Sequence, residues 1–338
     1  MTELASARHA GPRGEPAPGL AATTTAALGG RPRGGPSWLE ARRAEAAARL
    51  ETTGFPSATD EAFRFTSLGR VLRVPFAPQA GKHVASPLDA LNVRRVRIEN
   101  GRVESNDFGA VEGVEIRRLA EVLANDPGLV EPYLGRLAAS DNGFVAQNTA
   151  LLGDGVVVIG RARAKGGAVH LAYSGSGTTP ALAAPRVVVI AEPGSELFLV
   201  ESHASEGEYL ESSVTEIFVE GNAAVEHVRV ELGTERGAAL ATVAVRQRRD
   251  SRFRSRVLSF DGRLTRVDLR VTLEEPGAEC SLDGVFLATG GTLLDHHTLV
   301  VHAAERCTSR QRYKGIADGD GLAVFDGTVV VKRGASGT

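Results

Sequence analysis

PGSEL at 193–197 returns as PGAEC at 276–280 and, more weakly, as EGNAA at 220–224. Gly194 and Gly221 stand about 27 residues apart, within the range of about 20–50 residues that marks stacked supersecondary units, each burying its apolar face only against its neighbours. The interval from Gly221 to Gly277 is close to twice that one. An ordinary Pro-Gly turn recurring without structural meaning accounts for the pattern equally well. Around these units lie short β-rich runs: VVVIG (156–160), RVVVIA (186–191), ELFLVES (196–202), EIFVE (216–220), AVEHVRVEL (224–232), TRVDLRVTL (265–273) and TVVVK (328–332). Gly, Pro, Asp or Glu separate them, and no long helical pattern interrupts them, which excludes a parallel sheet built from βαβ units. A sandwich, a barrel or a solenoid remains.

Chemistry concentrates near the end of the chain. LLDHHTLVVHAAERCTSRQRYKGIADGDGLAVFDGTVVV (293–331) holds His296, His297, His302 and Cys307 within a dozen residues. Side chains two apart on a strand share a face, so His296, Thr298, Val300 and His302 are expected to project together. Two imidazoles and a thiol make His296, His302 and Cys307 candidate metal ligands, although the spacing matches no standard zinc pattern and lacks a fourth ligand. Asp295 adjoins His296, but adjacent strand residues face opposite ways, which weakens that pairing. Cys280 and Cys307 are separated by the same interval as Gly194 and Gly221, so a coil of that length would set them on adjacent rungs. Small residues stacked inside a solenoid commonly include inert buried cysteine, and the expectation is a chain that holds no stoichiometric metal by itself.

Other catalytic signatures are missing from the sequence. The GlyGly pairs sit in no phosphate-cradling motif, SGSGTT (174–179) reads as a flexible loop, and there is no nucleophile elbow, HExxH or CxxC. With 338 residues, 42% hydrophobic, the chain is long enough for a large core. A net charge of −2 argues against broad attraction to nucleic acid or an anionic membrane surface. Two cysteines are too few for a disulfide framework and point to a reducing, cytoplasmic setting. No apolar run approaches the roughly 20 residues that span a bilayer.

Towards the N-terminus, residues 1–36 carry few large apolar side chains and read as a disordered tail. Order is expected from Ser37, where Ser37 and Glu40 form a capping box ahead of WLEARRAEAAARLE, with Gly54 and Pro56 as the stop. A second helical piece is expected over 60–68, and two short helices over 117–139, broken at Pro127 and Pro132. The domain reading is therefore a tail (1–36), a helical or α+β region (37–140) and a β core (141–338).

The strings HHT (296–298), His302, CTSRQRYKGI (307–316) and AVFDGTVVV (323–331) resemble the signature of the SufB/SufD family of the Suf iron–sulfur cluster assembly system. GFPSATDEAFRFTSL (54–68), FVAQNTALLGDGVVV (144–158) and PRVVVIAEPGSELFLVESHAS (185–205) are similar to the family too, although Phe63 stands where tryptophan is usual. With little sequence ahead of its core, the chain is more similar to SufD than to SufB. The resemblance implies a mainly β protein, a right-handed parallel β-helix after an N-terminal helical or α+β segment. It implies a non-enzymatic part of a SufBCD scaffold that pairs with a SufB-like paralogue, with a cluster present transiently in the complex. It also implies a SufC-like ATPase docking on a C-terminal helical domain, which would lie beyond Thr338. A β-helical carbohydrate-active enzyme or binding module is the alternative. It needs paired carboxylates on one face, and Asp318, Asp320 and Asp326 lie among glycines that suit turns better.

Overall fold

The computed structural model describes residues 19–30, 34–57, 59–105, 108–111, 113–138, 142–234 and 236–338. Twelve strands form the core: β1 (Gly167–Gly175), β2 (Arg186–Ala191), β3 (Glu196–Ser205), β4 (Tyr209–Val219), β5 (Ala224–Leu232), β6 (Gly237–Gln247), β7 (Arg252–Asp261), β8 (Leu264–Leu273), β9 (Glu279–Ala288), β10 (Leu293–His302), β11 (Thr308–Ala317) and β12 (Leu322–Val331). Odd strands stack in parallel into one sheet and even strands into the other, giving a solenoid of about six coils. The β-solenoid expected from the resemblance is what the chain forms, and the sandwich and barrel are set aside.

Registers define the coil. Glu196, Ala224, Arg252, Glu279 and Thr308 lie side by side, and the last step of that row, from Glu279 to Thr308, is the longest. The Pro-Gly unit is the corner leading into each odd strand. Gly194, Asn222, Asp250, Gly277 and Arg306 all adopt left-handed backbone there, with φ between 54° and 75°. Gly, Asn and Asp visit this region at least cost and occupy four of these five corners, while Arg306 holds the fifth in the same conformation, so only two corners read as Pro-Gly. The structural equivalent of Gly194 is thus Asn222 and not Gly221, one position later than the repeat suggests. After each turn comes a small buried residue, Ser195, Ala223, Ser251, Ala278 or Cys307, each fully inaccessible to solvent.

This register corrects the proposed cysteine pairing. Cys280 is in register with Ser309, and both thiols are free and buried. The coil between them is longer than the interval from Cys280 to Cys307, so Cys307 falls two positions short of Cys280 and joins the corner column of small side chains. Burial pushes the Cys280 thiol up to about 12, well away from a reactive thiolate.

Several N-terminal expectations change as well. Leu20–Gly30 lies inside the supposed tail yet forms helix α1, whose Leu20 is fully buried beside Phe63, Val71 and Phe144. Gln147 Nε2 donates to Thr24 Oγ1 at 2.7 Å. One leucine is enough because other elements supply the rest of its pocket. Residues 1–18 and 31–33 of the expected tail lie outside the described residues. Helix α2 (Ser37–Thr53) begins and ends as expected, and Gly54, at φ 69°, returns its N–H to the Leu50 carbonyl. The capping box does not form: Pro36 is the cap and Glu40 pairs with Arg43 at 2.5 Å.

Residues 60–68 make a single 3₁₀ turn (Glu61–Phe63) ahead of a short helix (Gly69–Arg73). Tertiary contacts override helix formation there. The Arg266 guanidinium sits 4.1 Å over the Phe63 ring, and the Thr66 hydroxyl donates to Asp295. Leu119–Asn125 is helical, but the second helix expected in 117–139 shrinks to the 3₁₀ turn Pro127–Leu129. Beyond that turn, the Gly135, Leu137 and Ala138 amides donate to the buried Glu216 carboxylate at 2.6–3.2 Å instead of to a helical ladder. Helix α3 (Gly143–Leu151) starts at Asn142, whose side chain accepts from the Phe144 and Val145 amides. It lies within the expected β core, and strands begin only at Val156. Its residues 143–150 are all buried against the solenoid, so no polar face marks a helical period in its sequence.

The solenoid's last coil carries exposed apolar side chains. Among the described strands β11 pairs only with β9 and β12 only with β10. Ile316 (64%), Leu322 (49%), Val329 (51%) and Val331 (57%) are open to solvent. Unpaired edges of this kind template association with another chain. The isolated 338-residue polypeptide is therefore expected to gain apparent mass in light scattering as concentration rises from about 1 to 100 µM. A constant monomer mass over that range would count against it.

Candidate functional site

Alternation along the odd strands points Leu197, Leu199, Glu201 and His203 of β3 into the solenoid, with Val225, His227, Arg229 and Glu231 of β5 beside them. From the opposite wall β4 contributes Tyr209, Glu211, Ser213 and Thr215. Two coils thus place three carboxylates, two imidazoles and a guanidinium in an otherwise apolar interior. Each of these six side chains is no more than 5% exposed.

Arg229 organises the group. Its Nε donates to Glu231 Oε1 at 2.6 Å and its Nη2 to Ser213 Oγ at 3.1 Å. Nη1 reaches Glu201 Oε2 at 3.4 Å, and Nη2 lies 3.6 Å from Glu211 Oε1. Glu201 also takes hydrogen bonds from Tyr173 (2.8 Å) and Thr215 (2.9 Å) and lies 2.9 Å from His227 Nε2, whose Nδ1 meets Ser255 Oγ at 2.9 Å. His203 stacks on Tyr173 with centroids 4.1 Å apart, and its Nδ1 lies 2.8 Å from Glu211 Oε1, close enough for an ion pair but not aligned as a hydrogen bond.

Burial alone would favour protonated carboxyls here. For Glu201 the His227 hydrogen bond and the Arg229 charge outweigh that cost and hold it well below the usual carboxylate range. Glu211 is lowered in the same way, with His203 and Arg229 overcoming burial. The three Glu side chains converge on one point, and the Arg229 guanidinium occupies it.

The histidines singled out from the sequence lie elsewhere. His296, Thr298, Val300 and His302 do share the inward face of β10, as alternation requires. His296 Nε2 meets Ser259 Oγ at 2.9 Å, with its ring 4.9 Å from Phe286 and edge-on to Tyr313 at 5.8 Å. Burial lowers His296 to about 4, so the neutral ring is the stable form at neutral pH. His302 Nε2 meets Ser309 Oγ at 2.9 Å, and the Cys307 thiol donates to the Glu275 carbonyl at 3.3 Å. Their separation along one strand keeps His296 and His302 roughly 20 Å apart. Among the described residues no group of three or more His, Cys, Asp or Glu side chains is arranged to hold a metal.

Asp295 orients His297, its i+2 neighbour on the outer face, and not His296: Oδ1 and Nε2 are 2.8 Å apart. Arg266 Nη1 joins Asp295 Oδ2 at 2.9 Å and Thr66 Oγ1 at 2.8 Å. Burial opposes ionisation of Asp295, but His297, Arg266 and Thr66 hold it below the usual carboxylate range. This cluster latches residues 63–66 to the solenoid beside a cleft of about 550 Å³ lined by Phe63, Asn142, Arg266, Arg270, His297 and Asp326. Asp318 and Asp320 sit in the turn between β11 and β12, away from Asp326 on the outer face, so they make no carboxylate pair.

The sequence did carry a signal for the interior group. In ELFLVESHAS and AVEHVRVEL, Glu201, His203, His227, Arg229 and Glu231 share their parity with Leu197, Leu199 and Val225. Polar residues on the apolar parity of a strand mark a charged interior.

Fold and interior together define a parallel β-solenoid protein with a helical N-terminal flank and a buried ionic core. The chain belongs to the SufBD family. Residues 33–161 match the SufBD protein N-terminal region, and residues 173–338 match the SufBD core domain of SUF system FeS cluster assembly. It is similar to the iron–sulfur cluster assembly SufBD family protein slr0076 of Synechocystis, 24% identical over 321 residues, covering 88% of this chain and 71% of that protein. It is also similar to Protein ABCI7, chloroplastic, of Arabidopsis thaliana, 26% identical over 322 residues, covering 89% of this chain and 67% of that protein. The family works in iron–sulfur cluster assembly, and the carbohydrate-active alternative is not favoured. No helix among the described residues is long and apolar enough to cross a membrane.

Proposed function

We propose that this chain is a SufD-like, non-enzymatic scaffold component that pairs with a SufB-like paralogue, is served by a SufC-like ATPase, and acts in the cytoplasm. The observation that carries this reading is how the potential ligands are used. His296 and His302 each engage a serine through Nε2 and have Nδ1 buried with no hydrogen-bond partner among the described residues, the Cys307 thiol donates to the Glu275 carbonyl, no third ligand converges on any of them, and Arg229 fills the centre of the buried carboxylates. Such a chain supports a cluster held transiently by the assembled complex and binds none stably alone.

Co-expression of the tagged chain with the SufB-like and SufC-like proteins of the same organism tests this. The paralogue is expected to co-purify in equal amounts, with iron and sulfide appearing only in the mixed complex. Recovery of the tagged chain free of an abundant paralogue would remove the pairing.

A further inference from the structure

The outer face of the odd sheet carries a charge pattern unrelated to the interior. Arg252, Arg254 and Arg256 alternate along β7, and Arg310, Arg312 and Lys314 alternate along β11, all exposed. Between them β9 presents Glu279, Ser281, Asp283 and Val285. Register places Arg254, Ser281 and Arg310 in one row, and Arg256, Asp283 and Arg312 in the next. Three neighbouring strands thus show six cations against two carboxylates, on a chain whose net charge is −2.

Not all of this charge is neutralised by neighbours. Glu226 holds Arg254 at 3.2 Å and Arg256 at 2.8 Å, and Asp283 holds Arg312 at 3.1 Å. Arg310 and Lys314 form no ion pair or side-chain hydrogen bond with any described residue. Arg254 and Arg310 face each other across Ser281, their backbones roughly 10 Å apart. Between them runs a shallow groove of about 280 Å³ whose rim carries Arg252, Arg254, Glu279, Thr308 and Arg310.

We infer that this face docks an acidic, extended polypeptide segment of a partner protein. Alternate residues on a strand repeat at roughly 6.6 Å, the period at which an extended peptide presents every second carboxylate. Guanidinium is the donor best matched to carboxylate, through its planar fork. Exposed Phe198 (38%), Phe260 (39%) and Val285 (45%) within and beside the basic rows add the apolar and aromatic contact typical of protein interfaces. Glu226, Glu279 and Asp283 break the cations into separate spots, which suits carboxylates spaced along an extended polypeptide better than a continuous phosphate backbone. That mixture favours a protein segment over a nucleic acid.

Fluorescence anisotropy with a labelled ten-residue peptide of alternating Glu and Thr tests the inference on the full 338-residue chain. Binding is expected to weaken at least about tenfold when NaCl rises from about 50 to 300 mM, as screening shortens the reach of exposed charges. Arg254→Glu combined with Arg310→Glu is expected to weaken it by about tenfold or more at low salt, while Arg70→Glu, outside the patch, leaves it unchanged. All three side chains are exposed, and unchanged melting curves confirm that the variants fold. Equal binding by the double variant, no binding by the parent chain, or tighter binding of a ten-nucleotide single-stranded DNA would each overturn the assignment.

Discussion

Replacing Arg229 with leucine is expected to lower the free energy of unfolding by about 3–5 kcal/mol, the cost of removing one partner from a buried ionic group. The variant leaves Glu201, Glu211 and Glu231 inside the solenoid without the guanidinium that all three face. Leucine fills part of the volume but offers no donor to Glu231 Oε1 or Ser213 Oγ. Glu201 and Glu211 then lose one of the charges that hold them ionised and keep only His227 and His203 beside them, so proton uptake becomes easier and the destabilisation is expected to shrink as pH falls from 7 towards 5. Arg229→Lys keeps one charge but loses the fork that serves three carboxylates, and it should fall between the parent and the leucine variant. Urea unfolding of the three proteins at pH 7 and pH 5 measures this. A leucine variant as stable as the parent would mean that the interior charges contribute nothing net.

The same cluster shows why part of the molecule could be read from its sequence and part could not. The β runs and the inward face of β10 follow from period-two alternation, which is local and survives any packing. The coil repeat was legible at Gly194 and Gly277, where the left-handed corner requires glycine or tolerates it best. It was masked at Asn222, Asp250 and Arg306, which adopt the same backbone with different side chains. The spacing taken from Gly194 and Gly221 then misplaced Cys307 against Cys280, because register is set by hydrogen bonds between whole coils, whose lengths differ, and not by spacing along the chain.

Helix α3 left no periodic trace because every side of it is covered. The helical expectation at 60–68 failed for a related reason: Phe63 and Thr66 are held by Arg266 and Asp295, which are remote from them in the sequence. The interior ionic group is hidden for another reason: side-chain chemistry is dense in sequence only in the His-rich stretch near 296–307. The group that is dense in space is assembled from three strands, with two members from β3, one from β4 and three from β5.

Stability is expected to fall by roughly 3 kcal/mol for each of two buried histidines as pH drops from 6.5 to about 4, at about 1.4 kcal/mol per pH unit. His296, on Ser259, and His170, 2.7 Å from Ser202 Oγ, are both lowered from 6.5 to about 4 by burial. In the unfolded chain each imidazole binds a proton near pH 6.5, while in the folded protein each stays neutral until about pH 4. The unfolded state therefore holds more protons throughout that window. The histidines' contribution is fully present above pH 6.5 and is lost progressively below it. The carboxylates act in a separate, lower window: Glu201 and Glu211 are depressed from 4.5, so the stability they confer is lost only as pH falls below that value. His296→Gln keeps an amide able to bond Ser259 Oγ but has nothing to titrate. Its unfolding free energy, lower than the parent's at pH 7 through imperfect packing, is expected to decline about half as steeply between pH 6.5 and 4.5. Urea titrations at half-unit intervals read both slopes. Identical slopes for the parent and His296→Gln would show that His296 is not held neutral by the solenoid interior.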